Sequence, residues 1–191
     1  MRRPSGFIAL VFVVLAPAFA QLPEEVARKF AEAEKRIVRL PPTAFPELPG
    51  QVVRALQRRG CTIPQPALAT SPHNVLKGEF AKPGQTDWAV LCSVKGVSRI
   101  LVFWNGSEKD PAAIASSEDR NYLQGISETA IGYSRGISAV GKDVIERHHR
   151  AYGGPTPPPI DHQGIDDAFL EKASVTWYFH GGRWMKLTGS D

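Results

Sequence analysis

The chain has 191 residues, 42% hydrophobic and 22% charged, with two cysteines and a formal net charge of +4. Loss of Arg2 and Arg3 with an N-terminal leader lowers that charge to +2, which gives no ground for a nucleic-acid partner. The length suits one domain with a sizeable core. No stretch after the leader reaches the roughly 20 apolar residues of a membrane span.

The chain starts Met1-Arg2-Arg3, continues with an apolar run from Phe7 to Leu15, and reaches Ala18-Phe19-Ala20 just before Gln21. A basic segment, a short apolar segment and an A-x-A site in that order predict a signal peptide over 1–20, cleaved near Ala20-Gln21. The product, 21–191, is expected to be a soluble periplasmic or secreted protein with no transmembrane segment.

From Leu22 to Leu40 the apolar residues Val26, Phe30, Ala33, Ile37 and Leu40 form one stripe at helical spacing, and Pro41-Pro42 stops it. Glu24 with Arg28, Glu25 with Lys29 and Glu32 with Arg36 are favourable i,i+4 pairs. A second helix is expected from Pro49 to Arg59, with Leu48, Val52, Ala55 and Leu56 inward and Gly60 as its cap. The basic cluster Arg54, Arg58 and Arg59 reads as its solvated face. Cys61 follows, and in an oxidising compartment an even pair of cysteines is expected to close, here with Cys92.

After a proline-rich loop over 62–72, three strand-like runs stand between turn residues: Val75 to Phe80, Asp87 to Val94 and Arg99 to Trp104. In the middle run Trp88, Val90, Cys92 and Val94 face one way, while Ala89 and Leu91 face the other. Both faces are apolar, so this strand is expected to be central and covered on both sides. Residues 107–118 read as an irregular loop. Between Tyr122 and Val140 the glycines break any helix, leaving short strands near 129–134 and 137–140. Lys142 to Tyr152 reads as a helix, 153–159 as a stiff connector, and Ile165 to Lys172 as a short helix. The end is the clearest local signal: Ser174 to His180, Gly181-Gly182, then Arg183 to Leu187 reads as a two-residue hairpin that sets His180 opposite Arg183.

The run Gly78-Glu79-Phe80-Ala81-Lys82-Pro83-Gly84-Gln85-Thr86-Asp87-Trp88-Ala89-Val90-Leu91 resembles one FG-GAP-type β-propeller repeat, over residues 75–104. That family's repeat places acidic calcium ligands in the turn. Here Ala81, Lys82 and Gln85 stand in their places and Asp87 remains alone, so the calcium site is not carried over, and one repeat does not close a propeller. Through Gly60-Cys61-Thr62-Ile63-Pro64-Gln65 and Thr86-Asp87-Trp88-Ala89-Val90-Leu91-Cys92, the whole chain resembles short exported bacterial proteins of unknown function. That resemblance implies a compartment and a single domain, and no activity.

The densest polar group is His148, His149, Asp161, His162, Asp166 and Asp167, residue types that bind zinc or run acid–base catalysis. Adjacent histidines on a helix diverge, and the aspartates read as caps before the short helix. No metal or cofactor is therefore assigned. A glycosidase variant pairs Glu146 or Glu128 with an aspartate. Trp177, Phe179 and Trp184 read first as core and second as an aromatic platform for a ligand. The expected architecture is α+β: a central antiparallel sheet with packed helices, a C-terminal hairpin, and a Cys61–Cys92 disulfide, in a single domain. The leading functional expectation is a non-enzymatic binding or envelope-associated module for a protein or glycan ligand. The alternatives are a small hydrolase or metal-dependent enzyme built on 148–167, and a secreted enzyme inhibitor presenting the loop Thr156 to Asp161.

Overall fold

The computed structural model describes residues 23–190. The signal-peptide and cleavage-site expectations lie outside the described residues. Among these residues, three α-helices and twelve strands build four antiparallel sheets, a mixed α+β architecture. No helix among them is long and apolar enough to cross a membrane.

Helix α1 covers Glu24–Lys35, with Pro23 ahead of it and two glutamates in its first turn. It is shorter than its apolar stripe suggested. Pro41 disfavours helical backbone at Leu40, and β1 (Arg39–Leu40) pairs instead with β2 (Ile63–Pro64). Glu25 pairs with Lys29 at 3.0 Å, but Glu32 takes Lys35 rather than Arg36. Helix α2 covers Gly50–Arg58, and Gly60 leaves it in left-handed backbone, φ +66°. Leu48, Val52, Ala55 and Leu56 are all buried.

Strands β3 (Val75–Gly78), β4 (Asp87–Val94), β5 (Val97–Phe103) and β6 (Ala112–Glu118) form the first four-stranded sheet in chain order. β4 lies inside it, and its two apolar faces meet different partners. Trp88, Val90 and Cys92 pack with α2, while Ala89 and Leu91 pack toward the second sheet. The disulfide joins Cys61, three residues past α2, to Cys92 in β4, with a Cα–Cα distance of 5.4 Å. β6 replaces the expected loop over 107–118. Its Ala, Ser and Glu residues suit an edge strand with little to bury, so it carries a weak strand signal. At Ala115 the backbone turns left-handed, φ +54°, and the β5–β6 register shifts.

Strands β7 (Leu123–Gly125) and β8 (Ile131–Tyr133) form a ribbon on which α1 packs through Ala33 and Ile37. Strands β9 (Arg135–Val140), β10 (Gly164–Phe169), β11 (Ala173–His180) and β12 (Arg183–Thr188) make the second four-stranded sheet. The hairpin register holds: His180 faces Arg183, Phe179 faces Trp184, and both turn glycines have positive φ. β10 corrects the helix expected over Ile165 to Lys172. Gly-Ile-Asp-Asp-Ala-Phe gains its ladder from β9 and β11, and residues distant in sequence hydrogen-bond its aspartates in a way no local pattern shows.

The single central sheet expected from the sequence is thus two sheets packed face to face. Phe80, Leu91, Ile100 and Val102 meet Ile137 and Ile165 between them. Helix α3 (Lys142–Tyr152) covers the outer face of the second sheet, with Ile145 against Val140, Tyr178 and Leu187. Asn74 ties the sheets together at one side, donating to the carbonyl of Arg135 at 3.1 Å and accepting from the Ile137 amide at 3.0 Å.

Candidate functional site

Successive residues of a strand point to opposite faces, and that single rule divides the polar group of 148–167. Asp167 points between the sheets and Asp166 outward. Asp167 accepts from Arg135 through both oxygens, Nε to Oδ1 at 2.8 Å and Nη2 to Oδ2 at 2.9 Å. Asp166 accepts from the Ser174 and Thr176 hydroxyls at 2.8 and 3.1 Å, both at Oδ1. His162 stacks on Tyr178, ring centroids 4.3 Å apart and 11° from parallel. Asp161 accepts from the Tyr178 hydroxyl at 3.1 Å, which ties the end of the 156–161 loop to the core. His149 Nδ1 lies 3.2 Å from the Gly153 carbonyl, and His148 sits beside Tyr152. Among the described residues, no group of three or more His, Cys, Asp or Glu side chains is placed to hold a metal ion. Glu146 faces Lys142 and Arg150 along the same helix, and Arg58 pairs with Glu108 at 2.8 Å.

Arg135 is the residue that sequence reasoning missed. It is fully buried, and besides Asp167 it donates to the Ser98 hydroxyl at 2.9 Å and the Ala115 carbonyl at 2.6 Å. One guanidinium therefore joins β9, β10, β5 and β6 across the space between the sheets. Its carbon lies 4.6 Å from the centroid of the Tyr122 ring, a cation–π contact. Tyr122 is held further by an edge contact with Phe169 at 5.5 Å. Burial is the largest influence on the Tyr122 hydroxyl and pushes its pKa above the ordinary value, against the pull of Arg135.

Above this pair lies a cleft of about 470 Å³ between β6 and the second sheet. Tyr122 and Trp177 supply aromatic surface, and Ser117, Asn121, Asp167 and Lys186 supply polar groups. Asn121 donates to Ser117 at 3.3 Å across the rim. Of the expected aromatic platform, only Trp177 borders this cleft. Trp184 stacks instead on Trp104 at 5.9 Å and Phe179 meets Trp104 in a tilted contact at 5.0 Å, in a half-buried cluster against the inter-sheet core. The only available sequence signal for Arg135 was its setting, a lone cation among Ile131, Tyr133 and Ile137.

In the loop that resembles the propeller repeat, the fully buried Asp87 accepts four N–H groups. They come from the amides of Phe80, Ala81 and Asn105 and the side chain of Gln85, at 2.8–3.0 Å. Its oxygens organise the turn by hydrogen bonding.

No protein-family model matches the chain, and neither a curated protein nor a solved structure matches it significantly.

Proposed function

We propose that residues 21–191 act as one exported, non-enzymatic binding domain, and that the ligand is a glycan seated in the cleft of Tyr122 and Trp177. The observation that carries this reading is the mounting of Tyr122. A buried arginine lies under one face of the ring, Phe169 meets its edge, and the cleft opens beside it. A ring fixed before the ligand arrives loses little entropy on binding. The apolar face of a sugar ring stacks on such surfaces, while its hydroxyls reach amide, hydroxyl and carboxylate groups like those of Asn121, Ser117 and Asp167.

The same geometry disfavours hydrolysis by Asp167, because both its oxygens are engaged by Arg135. The disulfide supports an oxidising compartment. The test is calorimetric titration with a panel of envelope and plant-wall oligosaccharides. At least one is expected to bind, with about tenfold or greater loss on Trp177→Ala or Tyr122→Ala. Binding that survives both substitutions, or no binding across the panel, overturns the reading.

A further inference from the structure

Four aspartates are buried among the described residues, and three are met by an arginine or by several N–H donors, although Oδ1 of Asp119 has no partner. Asp87 has four N–H donors, Asp119 has Arg39 at 2.8 Å with the Ser93 hydroxyl at 2.6 Å, and Asp167 has Arg135. Asp166 is the exception. It is 8% exposed, yet among the described residues two hydroxyls on one oxygen are its only hydrogen-bond partners, and no Lys, Arg or His lies within ion-pair distance. Burial pushes its carboxyl above the ordinary carboxylate value, because removal from water disfavours the charge. The Ser174 and Thr176 bonds and the more distant His148 pull the other way.

Asp166 borders a pocket of about 440 Å³ on the outer face of the second sheet, which shares Phe169 and Ala173 with the Tyr122 cleft. The floor is low because small residues line it. Gly136, Ser138 and Ala168 lie there, and His73 stands over Gly136. A Cβ at Gly136 would come within 3.1 Å of Leu170 and 3.4 Å of the His73 ring. Burial lowers the His73 pKa, which favours the neutral ring and leaves an acceptor nitrogen. Lys172 also borders the pocket, but its ammonium sits over the Phe169 ring at 4.8 Å. The pocket thus combines a buried carboxylate lacking a countercharge, a neutral imidazole, and open space.

We propose that this pocket binds a small organic cation carrying N–H donors, an alkylammonium or guanidinium group, with Asp166 as its counter-ion. A bound ammonium supplies the charge that Asp119 and Asp167 obtain from arginines and the N–H donors that Asp87 obtains from amides. The site meets the Tyr122 cleft at Phe169 and Ala173 but is centred on Asp166, and it does not depend on the glycan reading.

The test is NMR titration of the whole folded protein with methylguanidinium and butylammonium, against urea as the neutral isostere and tetramethylammonium as the cation without N–H groups. The first two are expected to shift amides of β9 and β10 around Ser138 and Asp166, and the controls are not. Asp166→Asn keeps an acceptor for Ser174 and Thr176 but removes the charge, and should weaken binding about tenfold or more. Ala168→Leu keeps the charge and fills the floor, and should also block binding. Equal binding of urea and methylguanidinium, undiminished binding to folded Asp166→Asn, or no shifts with either cation overturns the assignment.

Discussion

Arg135 and Asp167, on neighbouring strands of the second sheet, form a two-pronged ion pair that is almost wholly removed from solvent. Removing one partner leaves the other charged and buried, which typically costs about 3–5 kcal/mol. Arg135→Met and Asp167→Leu are each expected to destabilise by that amount in urea unfolding. The double variant should recover part of the loss. Recovery should stay incomplete, because Ser98 and Ala115 also lose a donor.

The Cys61–Cys92 bridge spans 31 positions of sequence. In the chain-entropy account, closing a loop of that length stabilises by about 3–4 kcal/mol. Replacing both cysteines by alanine should lower stability by about that amount at equilibrium, and adding reductant to the native protein should match it.

Asp166 makes a pH-dependent contribution whose sign follows from its raised pKa. The folded state holds the proton more tightly than the unfolded state. Its stabilising effect is therefore complete below the ordinary value of 3.8 and is lost as pH rises through the raised value. Above 3.8 the cost of ionising the buried carboxylate counts against folding. Asp166→Asn is thus expected to raise the melting temperature at pH 7, with the gain shrinking as pH falls toward 3.8.

Asp87 satisfies four N–H groups at once, including the amide of the buried Phe80. Asp87→Ala leaves these donors without an acceptor, and at about 1–3 kcal/mol for a buried unpaired group the total loss should reach at least 3 kcal/mol. Because these donors already occupy the carboxylate, added calcium should leave the melting temperature of the unaltered protein unchanged.

Ala115 holds a left-handed backbone, φ +54°, that glycine adopts without the Cβ penalty. Ala115→Gly should stabilise by up to about 1 kcal/mol in denaturant unfolding. Ala115→Val should destabilise by a similar or larger amount.

What the sequence made legible were elements whose cause is local. β4 announces itself by apolar residues on both faces, the last hairpin by Gly181-Gly182, and α3 by its full length from Lys142 to Tyr152. What stayed hidden depends on partners far along the chain. Asp166 and Asp167 looked like a helix cap because two adjacent acids are costly in a buried strand, and only Ser174, Thr176 and Arg135 make the strand workable. β6 looked like a loop because an edge strand with one neighbour needs little apolar surface. The candidate site was legible only in pieces. Trp177 and Asp167 were visible as residue types, but Tyr122 matters through an arginine 13 positions later that folding places under its ring.

The irregularity at Ala115 also bears on how copies of this protein treat one another. A straight, uncharged outer strand offers its unused amides and carbonyls to any other chain, and stacking of that kind leads to fibrils. β6 comes near this by composition, with Glu118 its one charge, yet the left-handed residue breaks its ladder midway. At the outer edge of the other sheet, β12 shows exposed Arg183 and Lys186. The interrupted edge and the charged one both discourage edge-to-edge growth between copies of the protein.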